Sequence, residues 1–223
     1  MNAPDLPACE DAVLPREKEY GVKLFQNGNL ALASFGKFRA TVSAIDRFNY
    51  AGAENFGGSV TLLWHESTGA ILAATMHEYI PSEPTNMQYL TCAATAKCMT
   101  PRVILGEYSS DTDKDVCLTA KESAVSVRAE KWSADYVFSP VRFQIRLHAT
   151  GEGEYVLPIV LSKKHTARLE GNTLTTENGI KVTASAPIRT DLAQRYYNQV
   201  GGFSYLELRL PLQEELEISL SCD

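Results

Sequence analysis

Residues 141–148 read Val-Arg-Phe-Gln-Ile-Arg-Leu-His, and apolar and polar side chains alternate along the whole stretch. Successive side chains of a β-strand point to opposite faces, so this rhythm places the apolar set on a core face and the polar set in water. The same alternation recurs in residues 37–45, 125–130 and 206–212. It is typical of half-buried strands in antiparallel sheets.

Turn-forming sequences separate these runs. Asn27-Gly28 follows one strand candidate and opens the next, which is a hairpin signal. Residues 65–69 (His-Glu-Ser-Thr-Gly) link two further candidates, and glycine-containing turns recur at 151–153 and 177–179. Roughly a dozen or more short strands at this spacing predict an all-β protein, specifically a large antiparallel β-sandwich of the supersandwich kind.

Helical signals are scarce. The best helix candidate is residues 191–199, with Thr190 or Asp191 as the N-cap and Gly201-Gly202 just beyond the end. The sequence therefore predicts at most one short helix. We expect residues 1–20, which contain three prolines, to form a loosely ordered arm, and residues 21–223 to form a single β-sandwich domain.

Composition excludes several classes of protein. The chain has 223 residues and a formal net charge of −6, which argues against a nucleic-acid partner, since binding nucleic acid needs concentrated positive charge. A hydrophobic content of 44% is ordinary for a globular protein. No apolar run reaches the roughly 20 residues that a membrane span requires.

Common cofactor and metal motifs are missing from the sequence. It contains no GxSxG, no GxGxxG and no P-loop. Asp111, Asp113 and Asp115 come closest to a calcium loop, but they lack the glycine at the sixth position and the acid at the twelfth, so we interpret them as a solvated acidic turn. The five cysteines form no CxxC and are interpreted as small buried apolar residues, with room for one disulfide. We predict neither a metal site nor a cofactor.

The most unusual stretch is residues 50–88. The hairpin at residues 59–75 is almost continuously apolar, which predicts central strands buried on both faces. Polar and aromatic residues gather at one end of this hairpin, where loop-borne sites sit on a rigid scaffold. Sugars need polar partners for their hydroxyl groups and aromatic faces for their rings. The candidate substrate-binding residues are Trp64, Tyr79, Glu83, Asn86 and Gln88.

The same stretch supplies candidate catalytic residues, namely His77, Glu78, Tyr79 and Glu83. A polysaccharide lyase needs a base near the sugar C5 and an acid for the leaving oxygen, and histidine or tyrosine can take these roles. His77 and Tyr79 lie two positions apart, on one face of a strand. The alternative interpretation is that the aromatic residues belong to the core and that the acidic residues keep a loop solvated.

Three segments of residues 36–88 carry a family resemblance. They read FRATVSAID (38–46), GGSVTLLWHESTGAILAATMHEY (57–79) and EPTNMQ (83–88). This stretch resembles the β-sandwich part of heparinase II/III-like polysaccharide lyases, which join an α/α toroid to a large antiparallel sandwich. The long helices of the toroid and the HxHxD-like strand of such sandwiches have no counterpart in this sequence.

The resemblance implies an accessory or C-terminal β-sandwich module of a carbohydrate-degrading protein, without a complete active site of its own. Its expected partners are an oligo- or polysaccharide and an α/α-toroid catalytic domain in the same or another chain. Two alternatives remain open: a self-contained sugar-active enzyme of the lyase or mutarotase kind with a cleft near residues 77–88, and a protein-interaction module. We expect a periplasmic or extracellular location if the chain is part of a longer exported protein, and a cytoplasmic one otherwise.

Overall fold

A computed structural model of the chain describes residues 18–44, 56–75, 97–198 and 202–223, together with the backbone of four two-residue strands between residues 78 and 95. The regular structure of these residues is almost entirely antiparallel β-sheet, as the alternation predicts. Helical structure in the described part is limited to two three-residue 3₁₀ turns, Gln26–Gly28 and Ser110–Thr112. The predicted all-β class is therefore confirmed.

The first sheet contains five strands that follow one another in sequence. They are β1 (Gly21–Phe25), β2 (Leu30–Phe35), β3 (Phe38–Ser43), β4 (Ser59–His65) and β5 (Gly69–Ala73). Two pairs of two-residue strands follow in the chain: β6 (Glu78–Tyr79) pairs with β9 (Ala94–Thr95), and β7 (Ser82–Glu83) pairs with β8 (Gln88–Tyr89).

The second sheet also has five strands, in the order β11-β10-β16-β21-β20. Their bounds are β10 (Arg102–Leu105), β11 (Tyr108–Ser109), β16 (Gly153–Val160), β20 (Tyr196–Asn198) and β21 (Phe203–Leu212). Strand β5 of the first sheet lies against β16, so the two sheets adjoin along this line.

The third sheet has eight strands, in the order β12-β13-β14-β15-β22-β19-β18-β17. Their bounds are β12 (Cys117–Lys121), β13 (Ala124–Arg128), β14 (Trp132–Ser139), β15 (Arg142–Ala149), β17 (Ala167–Glu170), β18 (Thr173–Thr176), β19 (Ile180–Ala184) and β22 (Glu215–Cys222). Its outer face is polar, because alternate residues of β14, β15 and β22 are partly or fully exposed to water.

One apolar core joins the three sheets, and the predicted alternation supplies it. Phe143 and Ile145 of β15 are fully buried, as are the leucines of β21 that point the same way. Phe138 of β14 lies with its ring centroid 5.8 Å from Phe35 of β2 and 5.1 Å from Phe143. Aromatic rings at these separations attract one another in addition to the area that they bury, so this group fastens the first sheet to the third.

Two glycines allow the chain to enter β4 at a close approach. Gly57 and Gly58 have φ angles of +51° and +79°, a region that side-chain-bearing residues rarely adopt. A Cβ atom at Gly57 would overlap the carbonyl oxygen of Ser110, and one at Gly58 would lie 2.5 Å from Val127. The sequence Gly-Gly before β4 is therefore required by backbone conformation and by space.

Two local predictions are wrong. The hairpin 59–75 is not buried on both faces, since Leu62 and Trp64 of β4 are exposed on the outer face of the first sheet. The helix candidate at residues 191–199 is not helical over its described part, residues 191–198, because Tyr196–Asn198 instead form β20 and pair with Phe203–Tyr205 of β21. A stretch this short gains more from pairing with a neighbouring strand than from one or two helical turns.

The cysteines differ from one another. Cys98 is buried, as predicted, but Cys117 is exposed and Cys222 is half-buried; all three carry free thiols. Burial raises the pKa of the Cys98 thiol to about 11, and the nearby carboxylate of Asp111 adds to this effect. Cys9 and Cys92 lie outside the described residues.

Candidate functional site

The residues predicted as a sugar site fall mostly on the chain between 76 and 96. His77 and Asn86 lie outside the described residues. Glu78 and Tyr79 are described by their backbone in β6, and Glu83 and Gln88 are directly opposite each other in the β7–β8 pair. Trp64 is the one candidate in the described part with a placed side chain; it lies on the outer face of β4, opposite Arg39, and is 36% exposed.

The two chain ends that flank residues 76–96 are joined on the outer face of the second sheet. The backbone N–H of Met99 donates to Thr75 Oγ1 at 3.0 Å, and Thr100 Oγ1 donates to the Thr75 carbonyl at 2.8 Å. Met99 also packs with Tyr205 of β21, whose hydroxyl donates to the carbonyl of Ala73 at 3.0 Å. These contacts place Lys97 beside the polar residues of β21.

Strand β21 supplies those polar residues by simple alternation. Leu206, Leu208 and Leu210 point into the core, so Glu207 and Arg209 point to the outer face. In a sheet with one solvated face such residues are ordinarily in water. Here Glu207 is covered, and its side chain is only 8% exposed.

Five charged residues meet at this point, and we call them the ionic cluster: Lys97, Glu154, Arg189, Glu207 and Arg209. Lys97 Nζ lies 2.7 Å from Glu207 Oε2. Arg209 donates from Nε to Glu207 Oε1 and from Nη1 to Glu154 Oε2, both at 2.9 Å. Arg189 lies beside Arg209 through two backbone hydrogen bonds of 2.9 Å, and its Nη1 is 3.7 Å from Glu154 Oε1.

Electrostatics keep the cluster charged. Burial by itself raises the pKa of Glu207, but the hydrogen bonds and positive charges of Lys97 and Arg209 outweigh burial and hold the pKa below its ordinary value. For Arg209, burial lowers the pKa, and the bonds to Glu207 and Glu154 more than restore it. A general acid needs a pKa near the working pH, so Glu207 is unsuited to donate a proton at neutral pH.

A pocket of about 270 Å³ opens at the cluster. Its lining residues combine guanidinium, carboxylate, amide and aromatic groups: Arg189, Thr190, Asp191, Gln194, Tyr196, Glu207 and Arg209. Lys97 adjoins the pocket, since its Nζ lies 3.5 Å from the ring centroid of Tyr196, a cation–π contact. The next residue, Tyr197, is 61% exposed.

The acidic turn is built differently from its prediction. Asp111 is buried and accepts hydrogen bonds from Ser109 Oγ and Cys98 Sγ. Asp113 accepts from the hydroxyl of Tyr108 and, at 2.9 Å, from Trp132 Nε1. Two of the three carboxylates are therefore structural hydrogen-bond acceptors and not a solvated turn. No group of three or more metal-ligating side chains occurs in the described part of the chain.

None of the five cluster residues stands out in the sequence. Glu207 and Arg209 are read correctly as the polar side of a strand, but nothing local shows that another segment covers them. The available signal is weak: two opposite charges at positions i and i+2 share a face, and a lysine lies far away in the chain. Opposite charges on a strand face are also found in water, where they contribute little.

Comparisons with known proteins agree with this architecture. Residues 22–112 match the family model of the ulvan lyase C-terminal domain. A stretch of 78 residues is 38% identical to the broad-specificity ulvan lyase of Formosa agariphila. This stretch covers 34% of this chain and 12% of that protein. The matched part thus corresponds to about an eighth of the length of this relative.

Solved structures superpose on most of the chain. The heparan sulfate lyase HepC from Pedobacter heparinus superposes with a TM-score of 0.50 at 7% identity, over 92% of this chain and 37% of that one. A heparinase III has a TM-score of 0.49 at 10% identity, over 92% and 36%. The match of residues 22–112 indicates a β-sandwich segment similar to one of polysaccharide lyases, and the likeness to HepC shows the fold alone. More particularly, residues 22–112 of the chain are similar to the C-terminal domain of ulvan lyases. The described residues include no helix long and apolar enough to cross a membrane.

Proposed function

We propose that this chain is an accessory or C-terminal β-sandwich module of a carbohydrate-degrading, polysaccharide lyase-related protein, and that it has no complete active site of its own. The observation that carries the proposal is the match of residues 22–112 to a domain that is C-terminal in ulvan lyases. The curated relative is far longer than the matched stretch, which leaves ample chain for a separate catalytic domain.

The chemistry of the ionic cluster supports a role without catalysis at this point. Its buried carboxylate is held in the charged form by Lys97 and Arg209. A lyase must both remove and deliver a proton, and such a carboxylate is a weak base that stays deprotonated. The cluster therefore suits recognition of a ligand better than proton transfer.

The proposed partners are a polysaccharide and a catalytic domain of the α/α-toroid type. The exposed side chains of Leu62 and Trp64, side by side on the outer face of β4, support a surface that contacts another domain or an aromatic platform for a sugar ring. A periplasmic or extracellular location belongs to the same proposal, because an intact polysaccharide is met outside the cytoplasm.

The candidate residues from the sequence remain part of the proposal as the alternative function. A self-contained lyase would use His77, Glu78, Tyr79 and Glu83 for proton transfer. Its sugar contacts would come from Trp64, Tyr79, Glu83, Asn86 and Gln88. The backbone pairing of Glu83 with Gln88 supports a shared position for these two polar residues.

Turnover separates the two functions. The purified chain is incubated with a panel of uronic-acid polymers, and formation of the unsaturated sugar product is followed by its ultraviolet absorbance. The accessory role predicts no product from this chain alone. Product formation that is lost in Tyr79→Phe and His77→Ala, but kept in the surface variant Arg168→Gln, would overturn the accessory role in favour of the enzyme.

A further inference from the structure

We propose that the pocket at the ionic cluster binds the carboxylate or sulfate group of an acidic sugar residue, with Arg189 as its principal contact and Arg209 and Lys97 beside it. The inference rests on the proposed function for the polysaccharide nature of the ligand. It concerns a position on the second sheet, apart from the residues predicted from the sequence as a sugar site.

The charged side chains of the ionic cluster differ in their exposure to solvent. The carboxylate of Glu207 lies at the bottom and is almost fully covered, while the guanidinium of Arg189 lies at the rim with its side chain 67% exposed. Lys97 and Arg209 are intermediate, about one-third and two-fifths exposed. An approaching ligand thus meets the guanidinium of Arg189 first, and Glu207 is out of its reach. The other acids at this position are nearer to the surface: Glu154, which also balances Arg189 and Arg209, is one-third exposed, and Asp191 is exposed on the lining.

Arg189 has donors to spare. Its closest approach to a carboxylate, 3.7 Å to Glu154, is longer than a hydrogen bond, and its side chain donates no hydrogen bond within the described residues. Its backbone is fixed by the paired hydrogen bonds to Arg209. A guanidinium presents its N–H groups as a planar fork that matches the two oxygens of a carboxylate or sulfate.

The rest of the pocket suits the remainder of a sugar. Asp191 and Gln194 line it with an acceptor and an amide, which are the partners that hydroxyl groups need. A volume of about 270 Å³ is slightly below the roughly 300–1,000 Å³ of pockets for drug-sized ligands, which suits a single sugar residue of a polymer that continues over the surface.

The negative net charge of the chain makes binding of an anionic polymer depend on local cations. At −6 overall, the protein repels an anionic polymer at long range, so diffuse attraction cannot produce binding. Binding must then depend on a local group of cations. The loss of one particular arginine should weaken it strongly, and the loss of an equally exposed arginine elsewhere should not.

The experiment compares three immobilised polymers: dextran sulfate, polygalacturonate and uncharged dextran. Dissociation constants are measured by biolayer interferometry for the wild type and for Arg189→Gln, Arg189→Lys and Arg168→Gln. Arg168 is the matched control, since it is 78% exposed and lies on β17 at the edge of the third sheet. Thermal unfolding of each variant shows that the fold is kept.

We expect binding to at least one anionic polymer and none to dextran; the polymer that binds identifies the group as sulfate or carboxylate. Arg189→Gln should weaken binding at least about tenfold, because it removes a charge-assisted, bidentate contact. Arg189→Lys should fall between it and the wild type, and Arg168→Gln should bind like the wild type.

Absence of binding to both anionic polymers would overturn the proposal, and so would equal losses in Arg189→Gln and Arg168→Gln. These results can be distinguished from a result that refutes the accessory role. Turnover by the isolated chain would refute the accessory role and leave this site standing, whereas unaltered binding in Arg189→Gln would refute the site alone.

Discussion

Replacing Glu207 by glutamine tests whether the ionic cluster holds the second sheet and residues 97–100 together. The substitution keeps the shape of the side chain and removes its negative charge. In the wild type this carboxylate accepts from Arg209 Nε at 2.9 Å and lies 2.7 Å from Lys97 Nζ. Both cations then lose this counter-charge, although Arg209 keeps its equally short bond to Glu154.

The expected cost follows from these two contacts. A hydrogen bond to a charged group contributes about 1.5–3 kcal/mol, so complete loss of both would cost about 3–6 kcal/mol. The amide oxygen of glutamine still accepts one hydrogen bond, and the partly exposed cations recover water. We therefore expect a loss of about 2 kcal/mol in the free energy of unfolding, which for a chain of this length lowers Tm by about 4–8 °C.

The difference in the free energy of unfolding between wild type and Glu207→Gln depends on pH with a definite sign. The pKa of Glu207 is lower in the folded protein than in the unfolded chain. Its contribution is therefore fully present above the ordinary pKa of a glutamate, about 4.3–4.5, and is lost as the pH falls through the lowered folded value. The gap between wild type and Glu207→Gln should be constant between pH 8 and 6 and should shrink in acid.

Urea unfolding at several pH values measures this gap, with Glu217→Gln as the control. Glu217 pairs with Arg146 at 3.6 Å on the outer face of the third sheet, and both side chains are more than half exposed. Exposed pairs contribute about 0–1 kcal/mol, so the control should unfold almost like the wild type. Equal and small effects of the two substitutions, or a gap that stays the same in acid, would refute the reasoning.

Three further substitutions test the packing. Gly57→Ala should lower the free energy of unfolding by about 3 kcal/mol or more, since its φ is positive and its Cβ would overlap Ser110; a stable variant in urea unfolding would contradict the turn. Phe143→Ala should cost about 3–5 kcal/mol in the same assay, because the ring is fully buried between two aromatic neighbours; a loss below 1 kcal/mol would mean a looser core. Tyr155→Phe should be neutral or raise Tm, because the buried Tyr155 hydroxyl has no hydrogen-bond partner among the described residues; a marked fall in Tm would reveal one.

The strands could be predicted from the sequence because their signal is local. In β15 and β21 every second residue is apolar, and that rhythm alone defines which side chains form the core. The resemblance of residues 36–88 to a β-sandwich of polysaccharide lyases is confirmed by the family match of residues 22–112 and by the ulvan lyase relative. Neither inference needed knowledge of which strands pair.

Predictions that depend on pairing were the ones that failed. The Tyr-Tyr-Asn stretch of β20 reads as the middle of a weak helix until β21 is placed beside it. Likewise, β4 reads as buried on both faces because Leu62 and Trp64 are apolar, yet the outer face of the first sheet leaves them exposed. The residue type sets a preference for strand or helix and for burial, whereas the pairing of the strands decides which secondary structure and which burial the residue has in the fold.

The contrast between the two outer faces explains why the ionic cluster could not be found by pattern. Arg146 and Glu217 on the third sheet, and Arg209 and Glu207 on the second, arise from the same alternation of charged and apolar residues. The first pair remains in water. The second is covered because Thr75, Met99 and Thr100 tie residues 97–100 onto the sheet and bring Lys97 over Glu207. Covering a carboxylate is tolerated only when cations accompany it, and the cations that cannot also be buried are left at the rim. The contacts that hold residues 97–100 on the second sheet thereby leave a group of N–H donors that faces outward. An acidic sugar would bind to these donors.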